Sequence, residues 1–346
     1  MLIKRDIINR KDSFWMNTDN FDIYFPHLGV GVEHLKNSIS IFGFRIAYYG
    51  IIIGIGMLLG FLIASMDYKR RGLKVDDIQD MGLYTVIFAI LGARAYYVIF
   101  EWDYYSQHLD EILNIRQGGL AIYGGIIVSV IGCTIFCRVK KINVLSMMDS
   151  GILGLLIGQS VGRWGNFFNT EAFGGPTDSF LAMRIKEALV NPNMLNDEVL
   201  MNSFKIGENL FIQVHPTFFY ESMWNLCTLI IFYLMAPKKK FTGQIFFQYL
   251  LFYGVGRFWI EGLRTDSLYL WGTNIAVSQA LSALLAVAGA GLIIYNLNKV
   301  RKNGPDEALK AELEALAAKN ADGLRQENGE KAAETTAEEV VESPVD

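Results

Sequence analysis

IAYYGIIIGIGMLLGFLIASM, residues 46–66, carries no charged side chain over 21 positions. At about 1.5 Å of rise per residue, a helix of that length spans a hydrocarbon core about 30 Å thick. Within lipid, a single open-ended segment satisfies all its backbone N–H and C=O groups only as a helix. Comparable runs recur along the chain and predict spans at 43–66, 81–100, 118–137, 147–166, 216–236, 243–262 and 275–297. The fold class is thus read as an all-α integral membrane protein with about seven transmembrane helices. Composition points the same way: 52% of the 346 residues are AVILMFWYC, 19% are charged and mean hydropathy is +0.27, too apolar for an ordinary cytosolic globule.

Formal charge is −4, but residues 304–346 hold 12 acidic and 4 basic side chains, which leaves the remainder weakly positive. Neither balance suits a nucleic-acid binder. Cys133, Cys137 and Cys227 all fall inside apolar runs, which excludes a disulfide framework and a four-ligand zinc site. No metal site is expected.

Positive charge is retained on the cytosolic side of a membrane protein. It clusters after span 1 (Lys69, Arg70, Arg71, Lys74), span 3 (Arg138, Lys140, Lys141), span 5 (Lys238, Lys239, Lys240) and span 7 (Lys299, Arg301, Lys302). That alternation predicts an external N-terminus and a cytosolic C-terminus. Residues 1–42, with Lys4, Arg5, Asp6 and Trp15, lack the order of a cleavable signal peptide and are expected outside as an N-terminal segment. Residues 43–297 form the membrane domain, and its long connection 167–214 is external and of functional length. Residues 298–346 are read as an acidic cytosolic tail that buries no core and stays disordered, with Glu338, Glu339 and Glu342 near its end.

Ionisable groups inside spans are costly and point to function. Arg163 lies about 24 Å along span 4 from Met147, and Arg257 about 21 Å along span 6 from Gly243, with Glu261 and Arg264 beyond. Arg94 is similarly deep in span 2, while Tyr49, Tyr123 and the stretch His215 to Glu221 lie near the starts of spans running inward. All fall in the outer half, and the excess of arginine suits an anionic ligand, a phospholipid headgroup approached from the outer leaflet. Tyr253, Arg257, Glu261 and Arg264 share one helical face, where Arg257 and Glu261 also suit a plain ion pair. Arg163, Asn166, Asn169 and Glu171 crowd the end of span 4, and Gly165, Gly174 and Gly175 permit close backbone approach to a ligand. Gly154, Gly158 and Gly162 form a small-residue stripe for helix packing. Gly158 to Gly162 also matches G-x-S-x-G, but within a helix it cannot form a nucleophile elbow. Cys133 and Cys137 read as packing residues.

The string Gly162-Arg163-Trp164-Gly165-Asn166-Phe167-Phe168-Asn169-Thr170-Glu171-Ala172-Phe173-Gly174 resembles the signature of the prolipoprotein diacylglyceryl transferase family. Similarity extends to Tyr49-Gly50, Gly92-Ala93-Arg94, Gly118 to Gly125, His215-Pro216, Tyr220-Glu221 and Tyr253 to Arg264. The resemblance implies a bacterial cytoplasmic-membrane enzyme that moves diacylglyceryl from phosphatidylglycerol to the lipobox cysteine of a prolipoprotein signal peptide. It implies no cofactor. Arg163 and Arg257 are then expected to hold the phosphate. Asn166, Glu171 and Gly174 shape the headgroup pocket, Tyr49, Tyr253 and Glu261 line the same cavity, and Asn169, Arg94, His215, Tyr220, Glu221 and Arg264 complete the substrate-binding set. Tyr123 stands where the family commonly has His. The base therefore stays open among Tyr123, His215 and a phosphate oxygen, with Tyr123 favoured as an orienting hydroxyl. A lipid-binding or transport protein, or a lipid-remodelling enzyme with another acceptor, remains the alternative.

Overall fold

The computed structural model describes residues 18–115, 118–265, 267–270, 273 and 275–321. Seven helices of 18 residues or more run through them: α1 (Tyr48–Arg70), α2 (Val75–Phe100), α4 (Ile122–Lys140), α5 (Val144–Phe168), α7 (Thr217–Met235), α8 (Gln244–Glu261) and α9 (Val277–Asn303), with short α3 (Trp102–Tyr105) and α6 (Asp197–Met201) between. Six are long and apolar enough to cross a membrane, so the multi-pass reading stands; α8 falls outside that six. Large side chains such as Leu58, Leu62, Leu284 and Val287 are exposed along α1 and α9. A helix apolar on its outward face needs lipid, not water, as its solvent.

The chain divides into two compact units. One takes in the described residues up to Leu62 with Ile152–Met235 and Phe246–Ile294; the other takes in Ile63–Gly151, Ala236–Ile245 and the described residues from Tyr295 onward.

In the first unit, α1 and α5 meet through glycine: a Cβ on Gly60 would lie 2.9 Å from the Gly154 carbonyl oxygen. The Gly154 end of the predicted stripe thus does packing work. Ser160, within the apparent G-x-S-x-G, is buried in α5 and donates to the Ser222 carbonyl oxygen. Beside the helices stands an antiparallel sheet in the order β2-β1-β5-β7-β6, from Val30–Glu33, Phe21–Phe25, Met183–Lys186, Asn209–Val214 and Phe204–Ile206. Its register sets Ile23 against Ile185 and Ile185 against Ile212. Those side chains, with Phe167, Phe173, Val214 and Phe218, make a buried core. Alternation puts every second residue on that face. A second hairpin, β3 (Ser38–Ile41) with β4 (Phe44–Ala47), leads directly into α1. The first span therefore starts at Tyr48 and not at residue 43, because Phe44-Arg45-Ile46 alternates as a strand.

In the second unit, Ala64, Tyr68, Ile78, Met81, Cys133, Cys137 and Met147 form the core, and both cysteines are free and buried. The expectation of a disordered tail does not hold for its first part. Residues 307–321 are helical, and Leu309 and Glu312 are 4% and 8% exposed. Asp306 caps this helix through the Leu309 N–H and accepts from the Thr242 hydroxyl and N–H. Burial raises the proton affinity of Glu312, yet Arg71 and Lys239 outweigh it and its pKa falls below the ordinary value. Composition misleads here because the helix is docked by single residues, Leu309, Glu312 and the capping Asp306, which an acidic, alanine-rich stretch does not set apart. Residues 1–17 and 322–346, and the readings made on them, lie outside the described residues.

Candidate active site

Three helix ends in the first unit bring the arginines to one carboxylate. Glu221, one turn into α7, pairs through Oε2 with Arg163 Nη2 of α5 at 2.5 Å and through Oε1 with Arg257 Nη1 of α8 at 2.6 Å. Arg264 Nη1, just past α8, lies 3.9 Å from the same Oε1. Arg257 reaches down its own helix to Glu261 at 2.5 Å, and Glu261 Oε1 accepts from the Ser267 hydroxyl at 2.8 Å. The expected Arg257–Glu261 pair is therefore present, inside a larger cluster. Side-chain exposure is 7% for Glu221, 17% for Arg257 and 26% for Arg163.

Arg163 is used incompletely. Among the described residues only its Nη2 has a partner, while Nε and Nη1 have none. The same side chain lines a small cavity with Gln159, Glu221, Trp224, Asn225, Tyr253 and Arg257. A Cβ on Gly256 would fall 2.2 Å from Trp224 Nε1, so only glycine lets that indole lie against α8. Gln159 donates to Tyr249 and Trp224 to the Phe252 carbonyl oxygen, which fixes two walls.

The turn after α5 is fixed by its own side chains. Glu171 Oε1 accepts from Asn166 at 2.9 Å and from Asn169 at 3.2 Å. Thr170 and Ala172 adopt φ of 50° and 55°, left-handed values that cost side-chain-bearing residues energy. The Thr170 hydroxyl to Leu189 O and the Thr217 hydroxyl to Ala172 O hold them there. At Gly174 the close neighbour is the chain itself: a Cβ would lie 2.7 Å from the Leu263 carbonyl oxygen and 2.8 Å from His215 Cβ. Gly174 donates to His215 O, and Gly175 to Leu263 O. Tyr49 packs its ring over Gly165. His215 Nδ1 lies 3.2 Å from the Tyr220 hydroxyl, and burial lowers the imidazole pKa below its usual value.

Arg94 and Tyr123 belong to the second unit. Arg94 donates to four carbonyl oxygens: Ile112 (2.7 Å), Gly118 (3.0 Å), Gly119 (3.0 Å) and Glu111 (2.6 Å). It fixes the segment leading to α4, whose second residue is Tyr123, 48% exposed. Arg94 is thus placed as a backbone clamp.

The model of the prolipoprotein diacylglyceryl transferase family matches residues 36–295. The phosphatidylglycerol–prolipoprotein diacylglyceryl transferase of Finegoldia magna is 42% identical over 265 residues, covering 76% of this chain and 96% of its own length. That of Clostridioides difficile is 39% identical over 268 residues, covering 78% and 97%, and that of Staphylococcus aureus 40% over 261, covering 75% and 88%. The chain belongs to the prolipoprotein diacylglyceryl transferase family.

As a member of that family it is a transferase, and the resemblance read from Gly162 to Gly174 holds for the membrane domain as a whole. The match takes in every candidate residue from Tyr49 to Arg264 and ends before the docked helix at 307–321. Five lining residues of the cavity were not singled out from the sequence: Gln159, Trp224, Asn225, Gly256 and Ile260. Helical spacing carried the signal, since Gln159 precedes Arg163 by one turn and Trp224 and Asn225 follow Glu221 by one.

Proposed function

We propose that the protein transfers the diacylglyceryl group of phosphatidylglycerol to the lipobox cysteine thiol of prolipoproteins. The cysteine sulfur attacks the glyceryl carbon bonded to the phosphate oxygen. A C–S bond forms, the C–O bond breaks, and its electron pair leaves on glycerol 1-phosphate, while the thiol proton passes to a base. Charge builds on the departing phosphate, so preorganised cations in a dry site lower the barrier. The observation that carries this reading is Arg163: a guanidinium held by Glu221 at one nitrogen, with two nitrogens left for a ligand, at a cavity that Arg257 also lines. Planar guanidinium donors match phosphate oxygens.

The carboxylates Glu221 and Glu261 orient the two arginines, and Asn166, Asn169 and Glu171 shape the rim. In this reading α8 is the sixth of seven spans. The N-terminus lies outside and the cavity faces the outer leaflet of the bacterial cytoplasmic membrane, as the alternation of Lys and Arg supports.

Protein reconstituted in phosphatidylglycerol vesicles with a lipobox peptide should yield the thioether-linked diacylglyceryl peptide by mass spectrometry. Headgroup binding without that adduct would favour a lipid-binding protein instead. For topology, a cysteine placed at exposed Leu200 should label from outside; labelling only from the cytosol would reverse the orientation.

A further inference from the structure

The second unit contains a buried carboxylate held by four donors. Glu312 Oε1 lies 2.6 Å from Arg71 Nη2 and 2.5 Å from the Ser146 hydroxyl, and Oε2 lies 3.3 Å from Arg71 Nε and 3.0 Å from Lys239 Nζ. Arg71 and Lys239 are only 7% and 4% exposed. Their remaining contacts fix them independently of Glu312. Arg71 Nη1 donates to Ser146 O and the Ser150 hydroxyl and lies 3.8 Å from Asp67, while Lys239 pairs with Asp149 at 2.9 Å. Arg71, Ser146 and Lys239 come from three separate stretches of the region matched by the family, whereas Glu312 comes from beyond its end at residue 295.

Two cations and a hydroxyl converging on two oxygens about a carboxylate apart form the donor set that also binds phosphate. Lys239 keeps Asp149 in any case, but without an anion in that place Arg71 Nε and the Ser146 hydroxyl would be buried donors with their acceptor gone, which is costly. We propose that Arg71, Ser146 and Lys239 form an oxyanion site that takes a phosphate group, and that Glu312 of the tail is its intramolecular occupant. Tail docking and phosphate binding then exclude each other. The site is distinct from the arginine cluster on Glu221, which shares no residue with it.

The test uses the full chain carrying Glu312→Ala, which opens a carboxylate-sized space. In detergent the variant should melt about 3 °C or more below the unsubstituted protein. Inorganic phosphate should raise its Tm in a concentration-dependent way and raise that of the unsubstituted protein less, because Glu312 competes there. A second arm, phosphate-free nanodiscs of phosphatidylcholine with or without phosphatidic acid, distinguishes sources: stabilisation there assigns the site to a lipid headgroup, and its absence assigns it to soluble phosphate. Adding Arg71→Gln should abolish either response. A variant that melts unchanged, or gains nothing from either phosphate source, overturns the proposal. If Glu312→Ala does not accumulate, the unsubstituted protein decides. Phosphate should speed tryptic cleavage after Lys310 and Lys319 by releasing the helix, and an unchanged cleavage rate overturns the proposal.

Discussion

Two arginines, one in each unit, show how the same side chain is spent in different ways. Arg71 makes five hydrogen bonds through its three nitrogens, to Glu312, Ser146 and Ser150, and is buried. Arg163 is held at one nitrogen by Glu221 and presents two others at a cavity. A saturated guanidinium stabilises the fold, because any competitor must first displace partners already paid for in geometry. A half-used one at a cavity is poised for a ligand. Arg94, with four carbonyl acceptors, stands with Arg71 despite its depth in a predicted span.

The largest effect that separates the two kinds is expected at Arg257, which joins both carboxylates of the cluster. Arg257→Ala takes the paired arginine from Glu261 and one of two close arginines from Glu221, and removes a phosphate donor, so transfer per folded molecule should fall about 10³-fold. Peptide lipidation normalised to protein in the membrane measures it, and a loss of less than tenfold would put Arg257 among the structural arginines. Glu221→Gln comes next. It frees Arg163 and Arg257 from their shared anchor, so kcat should drop about 10²-fold while KM for phosphatidylglycerol stays level or falls, because a carboxylate that competes with phosphate is gone. A raised KM at unchanged kcat would instead make Glu221 a direct contact for the headgroup.

Smaller effects sharpen the comparison within the second unit. Tyr123→Phe should weaken transfer about tenfold and Tyr123→His should be tolerated, as a positioned hydroxyl predicts. Complete inactivity of the Phe variant, rescued only at high pH or by His, would make position 123 the base. Arg94→Lys supplies three donors where four carbonyls wait. It should lower Tm by about 3 °C and leave most activity per folded molecule. Unchanged melting with lost activity would move Arg94 from clamp to ligand contact.

The membrane helices and the α8 face were legible in sequence because both rest on local rules, run length and a repeat of four, four and three residues. The sheet was not. Its strands are three to six residues long, and β1 pairs with β5 across more than 150 positions, so no local window contains the pattern. Depth alone does not separate a cation that faces substrate from one such as Arg94, whose nitrogens donate to four backbone oxygens. Glu312 was hidden in an acidic, alanine-rich stretch where nothing local marks which carboxylate meets Arg71 and Lys239. At the cavity, the hub role of Glu221 was missed in favour of the Arg257–Glu261 pair, because contacts within one helix are visible from spacing and contacts among three helices are not.

The central claim, that Arg163 meets the substrate phosphate with donors the protein leaves unused, is tested most directly by Arg163→Lys in reconstituted membranes. Lysine keeps the charge and can keep the pair with Glu221, but as a single ammonium it cannot offer a planar set of donors to phosphate at the same time. Thioether formation per folded molecule should fall about 10²-fold or more with melting temperature little changed. Near-normal lipidation by the lysine variant would contradict the account.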